Sequence, residues 1–219
     1  MTELYINQKL NQLLELGLEL DYGGIAESPL EYVDDSIKFF IETDNVVDNL
    51  IDNLFDGDEE AYQIEHDKHN SANGFFEGLK KIAKKQGMLI YPISKYEHSQ
   101  VAYELGTEEG WDCGTVGFVL VDLKQAKKEY GFNNKTEIKN YLDSLLEDYT
   151  DYANGYVYCA TTYELDSKGE KEDIIDETCN LLSNDANIKG LFELGFLEGE
   201  LKDWKEAKEQ VNTSYTLAE

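Results

Sequence analysis

Apolar and polar positions recur along this chain with two different periods, and the changes of period mark out its elements. Leu4, Ile6, Leu10, Leu13, Leu14 and the leucine-rich run 16–20 predict an opening helix that loses regularity and ends at the turn signal Tyr22-Gly23-Gly24. After Ser28-Pro29, the run 37–41 (IKFFI) reads as a short strand. Over 44–56, Val46, Val47, Leu50, Ile51, Leu54 and Phe55 share one arc at helical spacing, and Asp44 stands where an N-cap opens the helix. Asp44, Asp48, Asp52 and Asp56 form an i,i+4 row on the opposite edge, with Asn45, Asn49 and Asn53 between. A Lys-rich helix follows over about 72–86, with Phe75, Phe76, Leu79 and Ile82 on its apolar side and Gly87 as its C-cap glycine.

The period then shortens. Runs at 88–93, 101–105 and 115–121 read as strands that pair into a sheet. Helical spacing returns over 123–130 and 137–152; the second helix turns Ile138, Tyr141, Leu142, Leu145, Leu146, Tyr149 and Tyr152 inward and carries Asp143, Glu147 and Asp151 on its outer edge. Residues 156–165 and 170–175 form a hairpin about Asp166-Ser167-Lys168-Gly169, and helix is expected again around 188–194 and 198–211. The predicted fold class is therefore α+β: an antiparallel sheet with strands near 37–41, 88–93, 101–105, 115–121, 156–165 and 170–175, packed with amphipathic helices. With two prolines in 219 residues and no linker-like stretch, the chain reads as a single domain over 1–219, divisible into a helical N-terminal subdomain, 1–86, and an α+β region, 87–219.

Charge changes the picture most. There are 46 acidic residues against 19 basic ones, a formal net charge of −27, and every one of the 19 cations is a lysine. A surface of that sign repels nucleic acid and anionic lipid, and without arginine it lacks the bidentate fork that suits phosphate and guanine. Direct nucleic-acid binding is excluded on those grounds. No apolar run approaches the roughly 20 residues of a membrane span, and the first ten residues (MTELYINQKL) lack a signal peptide's basic and apolar regions, so no membrane association and a cytoplasmic location are expected. The aromatic content (12%) marks a packed body and not a disordered acidic tail.

The acid is concentrated. Between Glu42 and Asp67 lie ten carboxylates, among them Asp44, Asp48, Asp52, Asp56, Asp58, Glu59 and Glu60, and no lysine. Like charges four apart on a helix destabilise it by about 0.2–0.5 kcal/mol per pair, so folding alone does not favour the row. Carboxylates four apart recur every ~6 Å along a helix, a spacing from which a folded surface can imitate a polyphosphate and occupy a basic nucleic-acid channel. Asp143, Glu147 and Asp151 supply a second row. A solvated acidic face is the competing reading. The acids of 193–209 alternate with Lys202, Lys205 and Lys208 and read as ordinary helical ion pairing.

Other chemistry is thinly signalled. The segment 166–177 puts lysine at the third and sixth positions of an EF-hand-like loop, where a ligand and a glycine are needed, and Asp56-Gly57-Asp58-Glu59-Glu60 suits a loosely held divalent ion at most. His66 and His69 have an i,i+3 spacing compatible with metal on a helix but no HExxH partner. Cys113 with His98 and Asp112 forms a conceivable nucleophile set, against the plainer reading of Cys113 as a small buried apolar residue. Cys113, Cys159 and Cys179 show no CxxC spacing, and no Walker, Rossmann or GxSxG signature is present. No metal and no cofactor is expected.

Tyr96-Glu97-His98-Ser99 followed by Trp111-Asp112-Cys113-Gly114-Thr115-Val116-Gly117-Phe118 resembles an uncharacterised family of proteins from phages and mobile elements of bacteria. Its pattern runs Y-x-H-S and then W-D-x-G-x-V-G-aromatic. The likeness extends through the helix after Leu123 and Gly155-Tyr156-Val157-Tyr158 to Asp176-Glu177-Thr178-Cys179, and more weakly back to Glu27-Ser28-Pro29, about half of the chain. Departures are Cys113 where the family tends to serine, and Asn180-Leu181-Leu182 in place of an aromatic, Gly-containing ending. The resemblance implies a phage or mobile-element origin and assigns no activity. By residue chemistry, His98, Ser99, Trp111, Asp112, Gly114 and Gly117 read as a strand-and-turn device in which the glycines permit a tight or bulged backbone, Trp111 packs, and Asp112 or His98 bonds local amides.

The expectation is an acidic, non-enzymatic inhibitor acting by nucleic-acid mimicry on a host defence protein that handles nucleic acid, a CRISPR effector or a restriction enzyme. An enzyme using His98, Asp112 and Cys113 on a metabolite or signalling nucleotide is the alternative; a phage structural or accessory protein is a third.

Overall fold

The computed structural model describes residues 2–19, 26–42, 45–107, 110–209 and 215–217. It is α+β, with antiparallel sheets of six and four strands, and it divides into two compact units: residues 28–150, and residues 1–27 together with 151–219. The sequence boundary at 86/87 lies inside the first of these.

In the 28–150 unit, β3 (Ile37–Ile41), β6 (Cys113–Asp122), β4 (Met88–Glu97) and β5 (Val101–Leu105) pair in that order. Helices cover both faces. On one, Ile90, Phe118 and Leu120 pack with Leu50 and Leu54 of α1 (Val46–Leu54) and Phe76, Leu79 and Ala83 of α3 (Ala72–Lys85). On the other, Ile37, Ile93, Val119 and Val121 pack with Ala126 of α4 (Leu123–Tyr130) and Ile138, Leu142 and Leu146 of α5 (Lys135–Ala153). Burial on both faces explains the nearly continuous apolar run 116–121. Val47, expected on the apolar arc of α1, is 49% exposed. Gly87, with φ +78°, turns the chain from α3 into β4 as its sequence predicts.

Gly117 has a stricter role. A Cβ built there lies 1.9 Å from the carbonyl oxygen of Phe40 on β3, a distance no side chain tolerates. Its partner strand β4 shifts register between Ile93 and Ser94, so a bulge sits beside the glycine.

In the other unit the order is β10 (Tyr215–Leu217), β9 (Trp204–Glu209), β1 (Glu3–Asn7), β2 (Gln12–Leu18), β7 (Val157–Leu165) and β8 (Lys171–Leu182). The predicted opening helix is instead a hairpin, β1 (Glu3–Asn7) and β2 (Gln12–Leu18). Its turn is tied by Asn7 Oδ1, which accepts from the backbone N–H groups of Lys9 (3.1 Å) and Leu10 (3.3 Å), while Asn11 takes φ +58°. β2 is a central strand with Leu13 in one core and Leu14 and Leu16 in another, and a short run buried on two sides does not separate strand from helix by period. The turn signal expected at Tyr22-Gly23-Gly24 lies outside the described residues. The helix predicted over 198–211 is also corrected: Leu201–Asp203 is a single 3₁₀ turn and Trp204–Glu209 is β9, paired to β1. Lys9 reaches Asp203 at 2.8 Å, so charges read as helical pairs serve different neighbours. The helix at 188–194 is present as α6 (Ile188–Glu193). β7 (Val157–Leu165) and β8 (Lys171–Leu182) form the expected hairpin, with Asp166 Oδ1 accepting from Lys168 N and Glu170 N at its turn.

Cys159 and Cys179 form a disulfide across this hairpin, a pairing the sequence spacing did not disclose. Closing a loop with a sequence separation of 20 contributes about 3 kcal/mol on chain-entropy grounds.

Candidate functional site

The first acidic row stands in open solvent. Asp48 and Asp52 project from α1, Asp56 lies in the turn after it, and Asp58, Glu59 and Glu60 begin α2 (Glu59–His66), a helix that the apolar period does not predict. Asp44 lies outside the described residues, and Asn45 stands at the N-cap position in its place. The connecting turn is held by Phe55 N and Gly57 N, both donating to Ile51 O at 2.9 and 3.2 Å, with Asp56 and Gly57 at positive φ. Among the described residues, no lysine pairs with Asp48, Asp52, Asp56, Asp58, Glu59 or Glu60.

Some of this acid has a local cause. Asp58 Oδ1 accepts from Ala61 N at 2.9 Å and caps α2, and Glu59 and Glu60 sit in the first turn, where the helix dipole favours negative charge. Asp58→Ala is therefore expected to cost about 1 kcal/mol by chemical denaturation, while Asp52→Ala stays within about 0.5 kcal/mol. Asp52 and Asp56 have no such role, so their presence is the unexplained charge.

The second row differs. Asp143 is paired with Lys139 at 2.7 Å, Glu147 is exposed, and Asp151 is half-buried and belongs to the other unit. Because α1 and α5 cover opposite faces of the four-stranded sheet, the two rows do not form one surface.

The motif residues gather at one end of the same sheet. Glu42, Lys95, Glu97, His98, Trp111, Asp112, Cys113, Gly114 and Val116 line a shallow, open depression of about 580 Å³. Its floor is an ion-pair network. Lys95 Nζ meets Glu42 Oε1 at 2.8 Å and Glu97 Oε2 at 2.6 Å, and Tyr103 donates to Glu42 Oε2 at 2.6 Å. Burial alone would raise the Glu42 carboxyl, but the hydrogen bonds from Lys95 and Tyr103 outweigh it and hold it below its ordinary value. Hydrogen bonds to Glu42 and then Glu97 raise Lys95; burial, then the bond to Glu42, raises Tyr103.

These directions set a pH window. A depressed Glu42 adds stability above its unfolded value, and that is lost as pH falls through the folded value. Raised Lys95 and Tyr103 add stability below their ordinary values, lost as pH rises through the folded ones. Thermal melting against pH is expected to show both limbs in the wild type and a flattened acid limb in Glu42→Gln.

One reading of the motif needs correcting. Trp111 does not pack; it is fully exposed at 105%. Asp112 and His98 bond local backbone through their own main chain: Glu97 N donates to Asp112 O (2.8 Å) and His98 N to Gln100 O (3.1 Å). Gly117 meets the expected need for a close backbone approach, but Gly114 has neither positive φ nor any atom within 4 Å of a built Cβ. Ser99 is exposed in the turn between β4 and β5. The structure thus brings His98, Asp112 and Cys113 to one depression, but no side-chain hydrogen bond links them among the described residues. His66 and His69 do not converge either. The His66 ring stacks on Tyr62 with centroids 6.0 Å apart, whereas His69 Nε2 meets Glu65 Oε1 at 3.0 Å.

Fold and surface together define an acidic α+β protein with an exposed carboxylate strip on α1 and α2, unpaired with lysine among the described residues, and a solvent-facing aromatic motif at a sheet end. Comparison with protein-family models, with curated proteins and with solved structures finds no match to this chain. No helix among the described residues is long and apolar enough to cross a membrane.

Proposed function

We propose that this chain is an inhibitor of phage or mobile-element origin that binds a nucleic-acid-handling host defence protein, a CRISPR effector or restriction enzyme, through its carboxylate strip. The observation that carries this reading is the exposed set Asp48, Asp52 and Asp56 with Glu59 and Glu60, free of lysine partners among the described residues and mounted on α1, a tight turn and α2. Leu50 and Leu54 anchor α1 in the core, so the charges are held and not trailing. A basic channel made for a phosphate backbone gains from such an array by long-range steering and displacement of its own counterions. The second row lies on another layer, so the contact is assigned to the α1–α2 strip alone.

The test is competition. With a purified restriction nuclease or CRISPR effector, the protein is expected to suppress duplex binding, duplex DNA to displace the protein, and the complex to weaken steeply between low and high salt. Inhibition that DNA does not relieve, or binding indifferent to salt, would count against mimicry. A stoichiometric end point separates a binder from an enzyme working through His98, Asp112 and Cys113, which would act at a small fraction of its target's concentration.

A further inference from the structure

The disulfide lies beside a buried carboxylate. Glu19 is 4% exposed, its Oε2 accepts from Asn180 N at 3.0 Å, and no lysine pairs with it among the described residues. Among the described residues Asn180 N is the one donor that meets this buried carboxyl group, which leaves it acceptor capacity for a further ligand. One carboxylate oxygen of Glu19, Cys159 Sγ and Cys179 Sγ all lie within 4.8 Å of one another. The backbone sets this up. β7 and β8 shift register between Tyr158 and Ala160, so that Cys159 faces Cys179 and Asn180, the latter at φ +56°. Cys159 is buried and Cys179 exposed, which gives a reductant or an ion a way in.

We infer that Glu19, Cys159 and Cys179 form a redox-gated site for a thiophilic divalent cation of the Zn²⁺ type, closed while the disulfide stands and opened by its reduction. A cellular dithiol supplies two electrons and two protons; the Sγ–Sγ bond breaks, two thiols form, and the dithiol becomes a disulfide. The cation then displaces both thiol protons to water and gains two metal–sulfur bonds and one metal–oxygen bond to Glu19, with water in the fourth position. Donors about 2.0–2.3 Å from a tetrahedral ion stand roughly 3.5–3.8 Å apart, so side-chain rotation of the freed sulfurs suffices. Soft thiolates select this ion over Mg²⁺ or Ca²⁺, which separates the site from the hard, exposed acids elsewhere. The cation, its charge balanced by the two thiolates, would give Glu19 a direct metal partner and replace the covalent link between β7 and β8 in a reducing compartment, where disulfides do not persist.

The test uses the full chain, oxidised or reduced with a thiol-free phosphine, in excess Mg²⁺ to occupy surface carboxylates, and titrated with Zn²⁺ or Co²⁺. The reduced wild type and Cys113→Ser are expected to bind one ion per chain with thiolate-to-cobalt charge-transfer bands, and Zn²⁺ to protect two thiols of the wild type from alkylation. The oxidised chain, Cys159→Ser and Cys179→Ser should show none of this, and Glu19→Gln should bind at least roughly 10-fold more weakly, since losing even a group that only supports a ligand costs about 10–100-fold. A readout without substitution is oxidation of the loaded wild type, expected to release the ion to a chromogenic chelator. Equal binding by oxidised and reduced chains, no charge-transfer band, unchanged affinity in Glu19→Gln, or no release on oxidation would each overturn the assignment.

Discussion

Replacing Asp48, Asp52 and Asp56 together by lysine is expected to weaken binding to a nucleic-acid-handling target by at least about 100-fold while leaving the far-ultraviolet circular dichroism unchanged. Each substitution turns a steering attraction into a repulsion, and truncating one close charge pair in an interface can itself cost about 2–5 kcal/mol. The fold should bear the change. Asp48 and Asp52 are exposed and have no lysine partner to lose among the described residues; the i,i+4 like-charge spacing along α1 keeps its magnitude with the sign reversed, and a cation at 48 in the first turn costs the helix only about 0.3–1 kcal/mol. Asp56 has positive φ, where lysine is less at ease than aspartate, so Asp48→Lys/Asp52→Lys serves as a second variant free of backbone strain. The pair should lose most of the affinity and flatten the salt dependence. Isothermal titration at two ionic strengths checks both, and full affinity in the double variant would remove the strip from the interface.

The second large effect is structural and belongs to the motif. Gly117→Ala places a methyl group 1.9 Å from Phe40 O, and the obstacle is backbone, which cannot rotate away as a side-chain tip would. Either β3 moves off β6 or the bulge beside Ile93 shifts, and overpacking of this kind costs about 3 kcal/mol. Scaled to a domain of this size, the melting temperature should fall by about 10 °C. Gly114→Ala is the matched control: its Cβ meets nothing within 4 Å, so stability should hold within about 0.5 kcal/mol. If Gly114→Ala, though stable, weakens target binding, the depression beside Lys95 belongs to the contact. Equal stability of the two alanine variants would show that the strands accommodate Gly117 differently.

The two glycines of one motif therefore have different reasons, and the spacing W-D-x-G-x-V-G shows neither. Treating 114 and 117 alike as backbone devices is sound for the residue that faces a neighbouring strand and unsupported for the one facing solvent. Trp111 carries the same lesson: an indole is expected to pack, and only the position of the loop at the sheet end leaves it bare. For the acidic strip, spacing along α1 is legible because four residues make about one helical turn, but Asp58 as a cap needs a helix that eight polar-rich residues do not announce.

What the sequence determined alone is local or additive. Strands β3, β5 and β6, helices α1, α3, α4 and α5 and the β7–β8 turn follow from period and turn chemistry, and the charge of −27 follows from counting. Tertiary structure decided the rest. It made 3–18 a hairpin, because a strand buried on both sides has a helix-like density of leucines; it sent 204–209 to the edge of β1; and it placed the α1 and α5 acids on opposite layers. It also joined Cys159 to Cys179 beside Glu19. Those outcomes depend on which strands pair across long stretches of chain, and neither a residue's neighbours in sequence nor its period carries that information.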